Sequence, residues 1–442
     1  MATQTGSDLG ISPSVRRTDV VAAVFSRQRV LTHVTLLAMR ASITIAKFLL
    51  AIYTARYLGL ADLGIYGLLV GGTSIVPAVA GFGMTDWVMR RIVDLPSAQA
   101  LPLMACRSGL TLCVHLVVQP MALAADVALG QPVPLRLAVL AGLILMLENL
   151  GTEASDMLIA RRHIFLANAL TFLRTGVWPL LVIGIGLAYP ATRTLDALLL
   201  GWIAGLALTA AILLGLLARA DRWRHVRPPW RLFLRQLRAS RPLYIKDISM
   251  TTGNFVDRFL ISMFLGLELT GVYTFFWSIA NVMHTLTVVG ILQSQIAPVL
   301  TAGRNADKTE FHALERYLQR EIGAWALMLS LGLAIATPLL LPLLGRPLLG
   351  EHLAIFWVIL LATLFRVAAD GYGYALLALN RDSEIAIIAL SGAIASAVLN
   401  SILTPLAGLW GAAGAYMLTA AGLFAFRFYL TRTYEHRGAV CP

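Results

Sequence analysis

Long apolar runs separated by short polar connections occur along nearly the whole chain. Each run holds about 20 or more residues, the length that an α-helix needs to cross the hydrocarbon core of a bilayer. The pattern therefore predicts an all-α integral membrane protein with about 12 transmembrane helices. The predicted spans are 32–54, 64–88, 101–124, 137–160, 165–188, 197–218, 243–265, 269–294, 322–343, 354–378, 384–404 and 408–430.

A ten-residue segment between the first two runs recurs in the second half of the chain. Residues 57–66 are YLGLADLGIY and residues 264–273, 207 positions later, are FLGLELTGVY. A weaker echo relates residues 158–167 to residues 377–386. Because the offset is close to half of the 442 residues, we interpret the pattern as a duplication. Each half holds an even number of runs, which predicts two parallel six-helix bundles with a site between them.

The repeat and one long connection divide the chain into five predicted segments. Two six-helix bundles are flanked by cytoplasmic ends and joined by a basic cytoplasmic linker. The segments are the N-terminal segment 1–31, the N-terminal bundle 32–218, the linker 219–242, the C-terminal bundle 243–430 and the tail 431–442.

The linker contains an amphipathic segment that begins after two prolines and is predicted to end at Pro242. Its apolar face is formed by Trp230, Phe233, Leu234 and Leu237, and arginines occupy another face. This pattern is typical of a helix that lies on an anionic membrane surface. Two interpretations remain open, a hinge-side element between moving halves or a membrane-lying linker.

Composition and charge placement agree with a membrane protein. The chain is 58% hydrophobic and 13% charged, with a mean hydropathy of +0.77, whereas soluble domains carry about 25% charged residues. The net charge of +12 is not taken as a sign of nucleic-acid binding, because 24 Lys and Arg residues lie on one side of the predicted membrane and 4 on the other. This asymmetry predicts that both termini and the linker are cytoplasmic.

No motif for catalysis or cofactor binding is found. Cys106 and Cys113 lie seven residues apart in one run and cannot pair on a helix, while Cys441 is in the tail. No long outer loop is predicted that would hold an active site, and no Gly-rich phosphate-binding loop with a lysine is present. We therefore expect no enzyme activity, no metal and no cofactor.

Seven Lys and Arg residues lie inside the runs, where a charge at mid-bilayer costs ~2.5–3.5 kcal/mol. Arg40 and Lys47 are seven residues apart and share a face of the first helix. The repeat aligns Lys47 with Asn254, which shares a face with Arg258. We predict that these four residues line a cationic, substrate-binding cavity.

Three further arginines are assigned to structural roles. Arg366 has an acidic residue, Asp370, four positions later, the spacing of a helical ion pair. Arg427 is expected to extend its side chain to the membrane surface, and for Arg107, as for Arg40, such an extension is one of the alternatives.

An acidic cluster in the fourth run has two possible roles. Glu148, Glu153 and Asp156 fall within a narrow arc of one helix. They would either relay protons or bind sodium, or else neutralise Arg174, Arg107 and His115 in the same half. We favour neutralisation slightly, and a Glu148–Arg174 pair remains one of two equal alternatives.

Loose motifs at the repeat point to a known family. The chain resembles the polysaccharide-transporter family of the MATE-like (MOP) flippase superfamily, which includes O-antigen and exopolysaccharide flippases. The residues that carry the resemblance are Ala55–Gly59, Gly64–Tyr66, Gly81–Met84, Arg90, Arg91, Asp257–Leu260, Gly266, Gly271 and Tyr273.

The resemblance implies a fold, a mechanism and a cargo. It implies a V-shaped pair of six-helix bundles with alternating access and a cationic central cavity. The implied cargo is an oligosaccharide linked to undecaprenyl diphosphate, flipped across the bacterial cytoplasmic (inner) membrane for surface or exopolysaccharide biosynthesis. Membrane lipids and polysaccharide polymerase or export machinery are the implied partners, and no nucleic acid is expected.

Two other functions compete with this one. A cation-coupled drug or metabolite exporter of the same superfamily needs a cation-binding carboxylate that faces the cavity, whereas Lys and Arg predominate on the first helix of each half. A membrane glycosyltransferase or polymerase usually needs a large outer loop, which the pattern does not predict.

The charge asymmetry generates a test of topology. We expect a membrane-impermeant thiol reagent to leave both Cys441 and a cysteine introduced at Trp230 unlabelled in intact cells, and to label both once the membrane is permeabilised. Labelling of either position in intact cells contradicts the predicted orientation.

Overall fold

The structure, a computed structural model, describes residues 27–128, 133–219, 230–288, 299, 308–379 and 381–437. Across these residues the chain is helical and contains no β-strand. The first half consists of α1 (Arg27–Tyr53), α2 (Leu60–Gly81), α3 (Met84–Ile92), α4 (Ser97–Ala128), α5 (Leu135–Ala160), α6 (Ile164–Ala188) and α7 (Leu195–Arg219).

The second half has the same plan after a linker helix. Its helices are α8 (Trp230–Ala239), α9 (Arg241–Leu265), α10 (Leu267–Thr287), α11 (Lys308–Leu344), α12 (Pro347–Glu351), α13 (Leu353–Ala378) and α14 (Asp382–Arg437). Helix α14 is interrupted at Ala407 and Gly408, whose backbone is not helical, so it forms two arms.

The described helices confirm the predicted fold class. Nine of them are long and apolar enough to cross a membrane by length and composition. Helices α9 and α10 fall outside that set because they carry more polar residues, and the two arms of α14 count within it as one helix. With α9, α10 and the second arm included, each half contributes six spans, as the duplication predicted.

Three predicted boundaries differ from the structure. The second span was predicted at 64–88, but α2 ends at Gly81 because Phe82 and Gly83 have left-handed backbone angles (φ 49° and 67°). Pro242 does not end the linker helix but lies in the first turn of α9, where its missing N–H is tolerated. The ninth span, predicted at 322–343, is part of the longer α11, which begins at Lys308. The predicted segments 1–31, 219–242 and 431–442 lie partly outside the described residues.

The two copies of the sequence repeat adopt the same local structure. Gly59 separates α1 from α2 with φ 137°, and Gly266 separates α9 from α10 with φ 87°. Both angles lie in a region that residues with a Cβ rarely adopt, which explains a glycine at each turn. The repeat tyrosines Tyr66 and Tyr273 are both buried, with 4% and 0% exposure.

Small residues bring the two halves into contact close to these turns. A Cβ added at Gly64 would clash with the carbonyl oxygen of Leu267, and a Cβ at Gly271 would clash with that of Leu60. The contacts are reciprocal, since each glycine meets the start of the other half's second helix. Small residues allow membrane helices to approach this closely. The halves are therefore closed at the end of the molecule that carries Gly59 and Gly266.

A side chain from the second half secures the same end. The Nε of Arg346 donates a hydrogen bond of 2.9 Å to the backbone oxygen of Ala55, and its Nη2 reaches that of Arg56 at 3.3 Å. These carbonyls lie in the π-helical turn that follows α1. Arg346 thus satisfies acceptors that the end of a helix leaves unpaired.

The linker helix α8 packs on the N-terminal half. Phe233 is fully buried in a cluster with Met84 and Val88 of α3, and its ring centroid lies 6.3 Å from that of Trp87. Leu234 remains 57% exposed. One part of the apolar face of α8 therefore packs on the protein and another part is exposed. A helix that lies on a membrane surface would instead turn its whole apolar face to the lipid.

The close approach at Gly271 generates a stability test. We expect Gly271→Ala to lower the thermal unfolding midpoint of the purified protein, because α2 and α10 must separate to admit the methyl group, an overpacking cost of about 1–3 kcal/mol. The matched control is Gly332→Ala in α11, where an added Cβ meets no atom within 4 Å. Equal midpoints for the two variants would contradict the described packing.

Candidate functional site

A cavity of about 450 Å³ lies inside the C-terminal half. It is bounded by α9, α10, α13 and both arms of α14, and runs from the middle of these helices toward the end opposite Gly266. Its polar lining residues include Asn254, His284, Arg366, Asp370, Tyr416 and Arg427. The cavity therefore collects polar side chains from four separate segments, and ionisable ones from three of them, inside the membrane span.

Asp370 is held by two residues on other helices. The Nε2 of His284 lies 2.9 Å from one carboxylate oxygen of Asp370, and the Nη1 of Arg427 lies 3.0 Å from the other. The same Arg427 nitrogen also donates to the carbonyl oxygen of Ala369 at 2.9 Å. Arg427 therefore points into the bundle and does not extend to the membrane surface, contrary to our prediction from the sequence.

Arg366 does not form the ion pair that its spacing from Asp370 predicted. Among the described residues no carboxylate lies within ion-pair distance of its guanidinium, and Tyr416 is the neighbour that acts on it most strongly. Asp370 still acts on Arg366 electrostatically. Since His284 and Arg427 occupy the Asp370 carboxylate, Arg366 retains hydrogen-bond donors that face the cavity.

Arg258, predicted to line the cavity, lies outside the lining residues. It is 1% exposed, and its guanidinium carbon lies 3.9 Å from the ring centroid of Trp277 and 5.0 Å from that of Phe255. This stacking is a cation–π interaction. Its Nε and Nη2 atoms have no hydrogen-bond partner.

The adjacent Asp257 is not an ion-pair partner of the Arg258 guanidinium. One of its oxygens accepts the backbone N–H of Arg258 at 2.8 Å, and the other accepts the hydroxyl of Tyr273 at 2.7 Å. The repeat tyrosine thereby fixes the carboxylate next to the arginine. Arg258 is a buried cation beside the cavity in this conformation.

The first helix presents Lys47 to the interior of the protein. Ile45 and Leu49 are exposed on the outer face of α1, and a separation of two residues turns a helix by about 200°, so Lys47 points the opposite way. Lys47 is nevertheless accessible and makes no hydrogen bond or ion pair with any residue that the structure describes. It lies in the electrostatic field of Glu148 and Arg174.

Arg40 shares a face of α1 with Lys47 and is hydrogen-bonded to α6. Its Nε donates a hydrogen bond of 3.2 Å to the side-chain oxygen of Asn168. Asn168 in turn donates to the carbonyl oxygen of Ile164 at 2.8 Å. Arg40 and Lys47 therefore differ, because one is tied to a neutral partner and the other is free within the described structure.

Glu148 and Arg174 form the pair that the sequence left undecided. The Nη1 of Arg174 lies 3.2 Å from a carboxylate oxygen of Glu148, and also donates to Thr152 at 2.8 Å. Arg174 lies in a π-helical turn of α6, and Gly151 leaves room for its side chain. The second Glu148 oxygen has no partner, so the pair keeps an acceptor for a further donor.

Glu153 is paired with Arg107 in the core of the same half. The ion pair measures 2.6 Å, with side-chain exposures of 1% for Arg107 and 3% for Glu153. Thr111 also donates to Glu153, and Arg107 donates to Thr85 at 3.1 Å. Arg107 is thus buried and does not extend to the membrane surface, which was one of the alternatives that the sequence left open.

Asp156 completes the acidic set on α5. It interacts electrostatically with Arg174 and Arg107, and also with Asp86. In the described structure the carboxylates of α5 therefore neutralise arginines of neighbouring helices.

Three cavity residues were absent from the sequence-based site. His284, Tyr416 and Arg427 lie on α10 and the second arm of α14, and only helix packing brings them to Asp370 and Arg366. A charge within an apolar run was the available signal for Arg427. An ionisable residue inside the predicted span 269–294 was a comparable signal for His284, because histidine is rare within membrane spans. Tyr416 gave no such signal.

Two six-helix bundles with charged residues facing internal space define an integral membrane protein of the MATE-like, or MOP, architecture. Solved structures support this fold. An inward-facing multidrug resistance MATE family transporter is 14% identical, covers 91% of this chain and 95% of its own, and has a TM-score of 0.66. An outward-facing multidrug resistance MATE family transporter is 15% identical, covers 92% and 96%, and has a TM-score of 0.58.

A third similar structure is a MOP superfamily transporter from Pyrococcus furiosus, for which a reversed polarity of the binding pocket is said to suggest a different function. It is 15% identical, covers 92% of this chain and 96% of its own, and has a TM-score of 0.59. A search of curated proteins finds no match. A family model described as "Polysaccharide biosynthesis protein" matches residues 54–348, and the chain belongs to this family.

The Arg107–Glu153 pair generates a test of neutralisation. We expect Arg107→Leu to reduce folded yield and thermal stability strongly, because an unpaired buried carboxylate costs about 3–5 kcal/mol. The double variant Arg107→Leu with Glu153→Leu should recover part of that loss. The measurements are size-exclusion yield and the unfolding midpoint.

The control is the exposed pair Arg136–Asp196, whose side chains are 68% and 45% accessible. Removing Arg136 should change stability by about 0–1 kcal/mol. No recovery in the double variant would show that Arg107 and Glu153 are not coupled.

Proposed function

We propose that this protein is a flippase that moves an oligosaccharide linked to undecaprenyl diphosphate across the bacterial cytoplasmic membrane by alternating access, for surface or exopolysaccharide biosynthesis. The observation that carries the proposal is the presence of interior cations without a carboxylate partner in the described structure. Lys47 and Arg366, one in each half, are in this position. Membership of the polysaccharide biosynthesis family supports the cargo class.

An unpaired cation within the membrane span requires water or an anion as its partner. A diphosphate is a suitable anion, because charge-assisted hydrogen bonds from Lys and Arg to phosphate oxygens are strong. Contact with water weakens these bonds enough for release. The two charges of the diphosphate also favour outward movement by roughly 4–5 kcal/mol per 100 mV of membrane potential.

The contacts between the halves support alternating access. The halves meet closely at the end that carries Gly59 and Gly266. They also touch at the opposite end, where the ring centroids of Phe82 and Tyr244 lie 5.4 Å apart. If the termini are cytoplasmic, as the charge asymmetry predicts, breaking the contacts of Gly64, Gly271 and Arg346 would open the outer side, and separating Phe82 from Tyr244 would open the inner side. The product in the outer leaflet would then be available to polysaccharide polymerase or export machinery.

A cation-coupled drug exporter is the second candidate. It requires a carboxylate that is free to bind a cation in the cavity. The carboxylates described above are engaged instead, Glu148 with Arg174, Glu153 with Arg107 and Asp370 with His284 and Arg427. This arrangement favours anionic cargo.

The proposal predicts that Lys47→Ala reduces surface polysaccharide about tenfold or more in a strain that lacks the chromosomal gene, because the cargo loses a charge-assisted contact. Lys47→Arg should retain most of the export. Arg136→Ala, at an exposed site, is the matched control. Surface polysaccharide is measured relative to the amount of protein in the membrane.

Unchanged export by both Lys47→Ala and Arg366→Ala, at normal protein levels, would remove the cationic-cavity mechanism. Efflux of cationic drugs by the same strains would then identify the exporter function.

A further inference from the structure

The cavity in the C-terminal half has two chemically different walls. One wall, from α10, α13 and the second arm of α14, carries His284, Arg366, Asp370 and Arg427. A second wall is the first arm of α14, which contributes only apolar residues to the lining. A cavity built only for water and ions has no need of an extended apolar wall, because apolar surface in contact with water is unfavourable.

Small side chains on the first arm of α14 create the apolar wall. Ile385, Ala389 and Ala393 face the cavity, and Leu377 and Leu423 extend the same surface. On the outer side of this arm Ile387 and Ile394 are 61% and 55% exposed. The arm therefore presents one apolar side to the bilayer and another to the cavity.

The charged wall has a surplus of positive charge. Arg366 and Arg427 contribute two positive charges and Asp370 one negative charge, so the wall is cationic even with neutral His284. The Asp370 oxygens are occupied by His284 and Arg427. Arg366 is the member that has no ion pair within the described structure, and Asn254 beside it offers a neutral donor.

The size of the cavity limits what it can hold. A volume of about 450 Å³ lies within the range of about 300–1,000 Å³ that is typical for drug-sized ligands. A complete lipid-linked oligosaccharide is much larger than such a ligand. Only a segment of that molecule fits, and the two walls require that segment to be anionic on one side and apolar on the other.

We propose that this cavity binds the junction between lipid and diphosphate in the cargo. The proposal rests on the flippase function and assigns a part of the substrate to this half of the protein. The diphosphate lies against Arg366 and Arg427, and the first isoprenoid units lie against Ala389 and its neighbours. The glycan lies outside the cavity, between the halves.

The experiment measures direct binding to the purified full-length protein in detergent. Farnesyl diphosphate is the probe, with inorganic pyrophosphate, farnesol and phosphatidic acid as comparisons. Farnesyl diphosphate should bind about tenfold or more tightly than each of the other three. Pyrophosphate lacks the apolar part and farnesol lacks the charge, whereas phosphatidic acid carries one phosphate and two acyl chains that exceed a cavity of about 450 Å³.

Two variants test the charged wall and the apolar wall of the cavity separately. Arg366→Gln should weaken binding of both farnesyl diphosphate and pyrophosphate about tenfold, because a charge-assisted contact is lost. Ala389→Phe should weaken farnesyl diphosphate by a similar factor through loss of space, yet leave pyrophosphate unchanged. The matched control is Leu390→Phe, the next residue, which is 39% exposed and outside the cavity lining.

Leu377→Gln provides a second test of the apolar wall if Ala389→Phe does not fold, since Leu377 is 39% exposed and tolerates a residue of similar size. Equal affinity for pyrophosphate and farnesyl diphosphate would overturn the proposal in favour of a simple anion site. Equal affinity for phosphatidic acid would overturn it in favour of general phospholipid binding.

The binding experiment can fail or succeed independently of the test of flippase function. Selective binding of farnesyl diphosphate that is lost in Ala389→Phe supports the site even if export proves independent of Lys47. Export that depends on Lys47 in a protein without selective binding supports the flippase and refutes this site.

Discussion

A charged group inside a membrane must be paired, hydrated or stacked, and this requirement accounts for the arrangement of the interior of the protein. In the N-terminal half Arg107 is paired with Glu153, and Arg174 with Glu148. Arg258 instead stacks on an aromatic ring. These interactions permit cations to remain in the span without water, and so separate structural charges from those available to a ligand.

The two halves share a scaffold but differ in chemistry. Equivalent glycines, Gly59 and Gly266, form the same turn, and Tyr66 and Tyr273 are buried at equivalent positions. The N-terminal half uses its carboxylates to neutralise arginines. The C-terminal half encloses a cavity with a cationic wall and an apolar wall. The two halves therefore share a local backbone plan, while the chemistry of their interiors differs.

The contact between the halves near Gly59 and Gly266 consists of close helix packing with few side-chain hydrogen bonds. Gly64 and Gly271 allow helices to touch without interlocking side chains, and Arg346 adds hydrogen bonds to backbone oxygens. This contact contains no ion pair, so separating the two helices would leave no buried charge without its partner. At the other end α8 packs on the N-terminal half through Phe233.

The sequence alone determined the membrane class and the approximate number of spans, and it predicted the duplication. The length of the apolar runs and the repeated glycines are sufficient for these predictions, because the backbone N–H and C=O groups of a membrane-spanning segment must form their hydrogen bonds within a helix. Only the tertiary structure decided which charges meet. Helical spacing predicted an ion pair between Arg366 and Asp370. In the structure, helix packing instead brings His284 and Arg427 to the Asp370 carboxylate. Spacing shows which residues share a face, and it carries no information on which helix that face contacts.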